Sequence, residues 1–240
     1  MNKSTYPGNE LDIFKHAYNW KEYFSRHIRP YINGHVIEVG AGIGGTTRTL
    51  SHSNFKSWTC LEPDPGLVNK LSTFIDSNER YSDYKLVTGE LSDIVAPVCY
   101  DTILYIDVLE HIENDAEELN RAVNLLSTSG TLVILSPSYQ WLFSEFDEAI
   151  GHFRRYTKQT LTAIIPPELE PVCIRYLDSA GVIASLANRM LLHKSKPSAR
   201  QIGFWDKTVI PCSRIIDPLI QYSFGKSILG IWRIKKNIIF

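Results

Sequence analysis

The sequence predicts an α/β chain built on a doubly wound parallel sheet, and three observations carry that prediction. Short apolar runs alternate with helical segments through five strands between residues 35 and 135. The stretch from Gly34 to Gly45 reads as a buried strand, a glycine turn and a helix start in immediate succession. A chain of 240 residues with 44% apolar residues has ample material for one large core.

Taking the elements in order, Leu11, Phe14, Tyr18 and Phe24 recur at helical spacing, which predicts one or two helices between Glu10 and Tyr31, closed by Pro30. Strand one covers about 35–40, with Val36, Ile37 and Val39 apolar. A helix over 46–52 leads to strand two, 57–61, which ends in Glu62-Pro63-Asp64-Pro65. Helix 65–76 carries Leu67, Val68, Leu71 and Ile75 on one face, and strand three is 84–88. Strand four, 100–106, runs into Asp107-Val108-Leu109-Glu110-His111. Helix 115–127 opens with Asp115, Glu117 and Glu118, acids that suit its dipole, and Ser129-Gly130 stops it before strand five, 131–135. Beyond residue 137 the pattern loses its period. The aromatic and charged stretch 138–156 reads as a functional loop. A helix over 157–165, a strand at 171–177, helices at 181–193 and 211–222 and a last strand at 227–233 complete the chain.

Composition narrows the function classes. A formal net charge of -1 gives no global field for nucleic acid or an anionic membrane. Cys60, Cys99, Cys173 and Cys212 are widely spaced and form no zinc pattern, so they are expected as buried free thiols of a reducing compartment. The first ten residues lack the apolar core of a signal peptide, and no run of 18 apolar residues exists, so no transmembrane segment and a cytoplasmic location are expected.

The glycine turn sets the chemistry. Gly40, Gly42 and Gly45 match G-x-G-x-x-G, and Glu62 lies 20 residues beyond Gly42, where a carboxylate can accept both hydroxyls of a ribose. The alternative is a tight strand-to-helix turn with no ligand. Glu38, two residues before the first glycine, would repel a pyrophosphate but attract an amino group. Gly44 makes the turn wider than a dinucleotide fingerprint requires.

Glu38-Val-Gly40-Ala41-Gly42-Ile-Gly44 resembles motif I of the class I S-adenosylmethionine-dependent methyltransferases. Glu62, with Pro63, matches the family's ribose-binding acid, and Gly89-Glu90-Leu91 its adenine-binding turn. Residues 101–112, ending Asp107-x-x-Glu110-His111, are similar to the strand-four motif of the subgroup with ubiquinone-biosynthesis O-methyltransferases, and 130–137 to the strand-five motif. The resemblance is strong over 35–137 and looser through 147–157, which looks like proteins encoded near polysaccharide and glycosyl-transfer genes.

The resemblance implies a Rossmann-like, doubly wound, seven-stranded sheet with the last strand antiparallel and a helical lid. The expected organisation is an N-terminal helical cap (1–33), a cofactor-binding core (34–177), a lid (178–224) and a final strand (225–240). It implies S-adenosylmethionine as cofactor and S-adenosylhomocysteine as product. Glu38, Gly40, Ala41, Gly42 and Gly44 would hold the methionine moiety, Glu62 and Pro63 the ribose, Glu90 and Leu91 the adenine, and Asp107 the region of the sulfonium.

Transfer to a hydroxyl needs a base, and His152 and His111 are the candidates. Asp147, Arg154, Arg155 and Tyr156 are candidates for binding a small or sugar-like acceptor with an anionic group, since guanidinium pairs well with such groups. Salt bridges to Asp147 or Glu148 are the structural alternative for the two arginines. Tyr18 and Trp20 could cap the cofactor or fill a helix seam. Asp107, Glu110 and His111 would share one face of a helix, but acids at a helix start are usually caps, and no metal is assigned. The lid face of Val182, Ile183, Leu186 and Met190, with the basic linker 193–200, could cover the acceptor or rest on a membrane or partner. O-methylation of a small-molecule acceptor is expected, with no nucleic-acid partner; oligomeric state is not legible. The alternatives are an N-methyltransferase, a nicotinamide-dependent oxidoreductase and a non-catalytic cofactor-binding module.

Overall fold

The computed structural model describes residues 10–51, 53–77, 81, 83–94, 99–191 and 198–236. One sheet contains β1 (His35–Val39), β2 (Ser57–Glu62), β3 (Tyr84–Thr88), β4 (Tyr100–Ile106), β5 (Leu126–Pro137), β6 (Leu169–Leu177) and β7 (Ser227–Ile234), in the order β3-β2-β1-β4-β5-β7-β6. β1 to β5 are parallel, and β7 runs antiparallel to both β5 and β6, as expected. The strand order reverses between β1 and β4, and in such sheets ligands sit beyond the strands' carboxyl ends at that point.

The period of two along each strand divides the core. Val36, Leu104, Ile106, Val133 and Leu135 pack into one cluster, and Ile37, Val39, Ile103, Tyr105, Leu132 and Ile134 into the other. The first receives Trp20, Phe24 and Ile28, spaced by four along α2 (Tyr18–Ile28), which follows α1 (Glu10–Phe14). The second receives Leu119, Ala122 and Val123 of α5 (Asp115–Asn124) and Leu161 of α7 (Lys158–Ala163). Each large aliphatic side chain so buried contributes about 1.5–3 kcal/mol. The crossovers α3 (Gly45–Leu50) and α4 (Pro65–Asp76) link β1 to β2 and β2 to β3. Asp64 caps α4, its Oδ1 accepting from the N–H groups of Gly66 (2.6 Å) and Leu67 (3.1 Å), with Pro65 at the first helical position.

Several boundaries differ from the sequence expectation. The helix expected over 115–127 ends at Asn124, because Leu126 is drawn into β5 beside Tyr100 and Ser127 Oγ donates to Asp101 Oδ1 at 2.9 Å. Ser129 and Gly130 therefore lie inside a strand. The loop 138–156 contains a short helix, α6 (Glu145–Ala149), whose first turn is tied by Ser144 and Asp147. The helix expected over 211–222 starts at 199: α9 (Ala199–Phe204), a π turn (Trp205–Val209) and α10 (Ile210–Leu219) run on continuously. Ile210 N–H donates to Trp205 O across the π turn, so Pro211 starts no new helix. Of the four thiols only Cys60 is buried; Cys99 and Cys212 are exposed and Cys173 is half-buried, contrary to expectation.

Two buried carboxylates tie the helices of 178–224 to α2. Asp217 accepts from Tyr23 Oη at 2.7 Å and from the N–H groups of Asp178 and Ser179, at the start of α8 (Ser179–Leu191). Asp206 accepts from the N–H of Trp20 at 2.9 Å. Residues 1–9 of the expected cap, 192–193 of the helix expected over 181–193, 193–197 of the basic linker, 237–240 of the final strand and the side chain of Met190 lie outside what is described.

Candidate functional site

The carboxyl ends of β1 to β5 bring the motifs together. At the end of β1 the turn is pinned to β2: the N–H groups of Gly40 and Ala41 both donate to Leu61 O, at 2.8 and 3.1 Å. The Gly42 N–H donates to Glu62 Oε2 at 2.8 Å, and Glu62 Oε1 accepts from Asp64 N–H at 2.9 Å. Burial pushes the Glu62 carboxyl up, with these two hydrogen bonds opposing.

Gly40 and Gly42 both have positive φ, +67° and +57°, but for different reasons. A Cβ on Gly40 would lie 2.6 Å from Val108, so its own fold requires the glycine. Among the described residues, a Cβ on Gly42 would meet only the Leu11 side chain, at an ordinary 3.6 Å. The described residues thus leave space beside Gly42 between the turn and α1. With Glu62 beside it, this cradle fits an adenosine-bearing ligand that approaches the backbone closely. Gly44 caps α3, and Pro63 is exposed between Glu62 and Asp64.

Glu38 points inward. The period of β1 puts it on the side of Val36, where Oε2 accepts from Thr47 Oγ1 (2.7 Å) and Trp58 Nε1 (3.0 Å). Burial pushes its carboxyl up to about 7 against those hydrogen bonds. At the end of β3, Glu90 is exposed and Leu91 buried, and Gly89 N–H donates to Glu62 O at 3.1 Å. The ends of β2 and β3 therefore stand side by side.

Asp107, at the end of β4, has φ +55°, and its N–H donates to Leu135 O. It is open to solvent yet closely ringed by protein, and the crowding pushes its carboxyl up while Lys21 opposes. Lys21, which the sequence reading did not single out, also lies beside the glycine turn. Its Nζ donates to Phe14 O (3.1 Å) and Lys15 O (3.0 Å), and would lie 3.1 Å from a Cβ on Gly45. Burial and Arg48 push this amine down to about 8, while Asp206 and Asp107 oppose. No local pattern marks it, since α2 must first pack on the sheet to bring it over α3.

The second half of the site joins residues 110, 111, 147, 152 and 155. His152 Nδ1 lies 2.9 Å from Asp147 Oδ1. Asp147 also accepts from Ser144 and, on both oxygens, from Arg155. Burial would push the Asp147 carboxyl up, but the hydrogen bond from His152, the Arg155 charge and the remaining hydrogen bonds hold it well below the usual carboxylate range. A carboxylate so held only accepts, so His152 Nδ1 carries the hydrogen of this contact.

The His111 and His152 rings meet edge to face with centroids 4.5 Å apart, and burial with His152 pushes His111 down to about 4. Glu110 is fully buried, and its Oε1 has no hydrogen-bond partner among the described residues and stands 3.9 Å from His152 Nε2. Burial and Asp107 push its carboxyl well above the ordinary range. One donor atom each from Glu110, His111 and His152 fall within 4.8 Å of one another, so these three side chains could share a metal ion.

Other candidates are committed internally. Arg154 pairs with Asp115 and donates to Glu113 O at 2.7 Å. Tyr156 is buried, its hydroxyl donating to Asp115 Oδ2 at 2.8 Å. Tyr18 is exposed, and Trp20 is buried against Phe24 and Trp205.

Comparison with known proteins agrees with this geometry. Residues 37–132 match the family model described as a methyltransferase domain. No curated protein sequence matches the chain. Among solved structures, a chain from the Haloferax volcanii complex with the Trm112 methyltransferase activator has a TM-score of 0.62 at 15% identity, covering 94% of both chains. The [4+2]-cyclase SpnF has a TM-score of 0.63 at 11% identity, covering 96% of both. The N-methyltransferase NodS of Bradyrhizobium japonicum, in complex with S-adenosylhomocysteine, has a TM-score of 0.59 at 15% identity, covering 97% of this chain and 94% of its own. At these identities the likeness is one of fold. The chain thus carries a match to a methyltransferase domain running from β1 into β5, and shares the overall fold of these structures.

Proposed function

We propose that the acceptor atom is a hydroxyl oxygen of a small or sugar-like molecule and that His152 is the base that takes its proton. The observation that carries this reading is the 2.9 Å contact between His152 Nδ1 and Asp147 Oδ1, with Asp147 held ionised by Arg155. A neutral amine acceptor needs no such base.

Bound S-adenosylmethionine supplies an electrophilic methyl group on a sulfonium. The chain's own part is to hold and align. Glu62 would receive the ribose hydroxyls beside its bond to Gly42, Glu90 and Leu91 would border the adenine, and the face of Gly42 would admit the methionine moiety. Glu38 supports that turn from beneath through Thr47, and Lys21 would meet the methionine carboxylate. Asp107 would lie near the sulfonium. The acceptor hydroxyl would stand against His152 Nε2, which would take its proton as the methyl passes from sulfur to oxygen and S-adenosylhomocysteine leaves, with Asp147 stabilising the imidazolium formed. Alignment and exclusion of water supply the rest.

An acidic group on the acceptor meets Lys226 in preference to Arg154 or Arg155, which Asp115 and Asp147 already hold. Lys226 directly precedes β7, its O accepts from Ser138 N–H at the end of β5, and its ammonium lies 5.7 Å from the Trp205 ring centroid without a hydrogen bond or ion pair to a described residue.

The test is methyl transfer from labelled S-adenosylmethionine to a panel of sugars, sugar acids, sugar phosphates, phenols and amines, with the product linkage read by mass spectrometry and NMR. The reading expects methyl ethers; label found only on nitrogen would refute it.

A further inference from the structure

Charge is segregated along this chain in a way its near-zero total hides. Residues 178–226, between β6 and β7, contain seven Lys and Arg but only three acids, Asp178, Asp206 and Asp217. All three acids are buried, with exposures of 1%, 3% and 0%. Every charged side chain that this segment can show to solvent is therefore basic. The rest of the chain carries 18 Lys and Arg against 23 acids, so the basic character is local.

The same segment exposes apolar side chains. Ser213 and Asp217 face inward from α10, so Ile215 and Leu219, one turn apart on the opposite side, are 68% and 77% exposed. On α8, which packs beside α10, Val182 is buried and Ile183 is 66% exposed. These are the three most exposed large aliphatic side chains among the described residues, and Phe204 on α9 adds 61%. Where this surface meets α2, an open groove of about 550 Å³ is lined by Arg26 and Arg214 together with Ile215 and Tyr222. Arg26 is paired with Glu22 at 3.1 Å. No described helix is long and apolar enough to cross a membrane.

We propose that the outer face of α8 to α10 docks on an anionic lipid surface, with Ile183, Phe204, Ile215 and Leu219 entering the headgroup boundary and lipid phosphates meeting Arg214 and its basic neighbours. Exposed aliphatic side chains interleaved with cations only are the signature of a helix layer lying in a membrane interface. Ile215 belongs to both the apolar stripe and the groove, which places phosphate and acyl chain side by side. Within 178–226 no acid is exposed, and Glu22 of α2 beside the groove is taken up by Arg26 and Arg29, which favours an anionic bilayer over a protein surface of mixed charge.

The experiment is co-sedimentation of the full chain with phosphatidylcholine vesicles, with and without phosphatidylglycerol. Binding is expected with phosphatidylglycerol only, weakening as salt rises. Ile215→Asp and Leu219→Asp, both at exposed positions, should each weaken it about tenfold or more with an unchanged melting temperature. Arg214→Glu should cut the preference for anionic vesicles. The proposal is overturned if the parent chain stays in the supernatant with both vesicle types. Sedimentation of the Leu219→Asp variant like the parent would also overturn it. So would sedimentation equilibrium showing a dimer that Leu219→Asp dissociates, which would assign the face to a second copy.

Discussion

The N–H of Gly42 donates to Glu62 Oε2 at 2.8 Å, so the carboxylate proposed to hold the ribose also pins the glycine turn to the end of β2. Glu62→Gln cannot accept from Gly42 and Asp64 with both terminal atoms, and leaves one buried donor facing an amide N–H₂. An unsatisfied buried donor costs about 1–3 kcal/mol. Calorimetry should show S-adenosylmethionine affinity falling about tenfold or more, together with a lower melting temperature. Unchanged affinity would remove Glu62 from the site.

Two neighbouring glycines should fail differently. Gly40→Ala drives a methyl against Val108 at 2.6 Å and should destabilise the fold. Gly42→Ala meets only an ordinary 3.6 Å contact with Leu11, though φ of +57° strains it by about 1 kcal/mol. Its main effect should fall on cofactor affinity. Thermal melts of both variants, with and without S-adenosylhomocysteine, separate the two. A fully ligand-stabilised Gly42→Ala protein would contradict an open cradle beside that residue.

Glu38 gives a pH signature. In the folded chain burial raises its carboxyl to about 7, whereas the ordinary value of 4.5 applies on unfolding. A raised carboxyl contributes stability that is fully present below about 4.5 and is lost as pH rises through about 7. Glu38→Gln keeps an oxygen to accept from Thr47 and Trp58 but cannot ionise. Urea unfolding without ligand should therefore show the difference between variant and parent moving in the variant's favour from about pH 5 to about pH 8. A difference independent of pH would mean that Glu38 is not held in this way.

The sheet was legible because its determinants are local. Val36, Ile37 and Val39 announce a strand buried on two faces, and Pro63-Asp64-Pro65 announces the cap and first turn of α4. Where tertiary pairing overrides local signals, reading failed. Leu126 to Gly130 became strand because Tyr100 and Asp101 capture them, and the π turn joins two helices across Pro211. Of the candidate site, the sequence offered residue types: Glu62, Asp107, His111, His152 and Asp147 all carry chemistry that singles them out, and the fold gathers them at the carboxyl ends of the strands. Which partners they hold was not legible, because Glu38 turns inward by strand period and Lys21 arrives only through the packing of α2.

The most direct test of the proposed mechanism is the single-turnover rate of methyl transfer to a hydroxyl acceptor found in the labelled panel, compared between the parent chain, His152→Ala and Asp147→Asn, with S-adenosylmethionine affinity measured on each. The account predicts a loss of about 100-fold or more for His152→Ala, a smaller loss for Asp147→Asn, and cofactor affinity within about twofold of the parent for both. A His152→Ala protein that transfers methyl at the parental rate would contradict it.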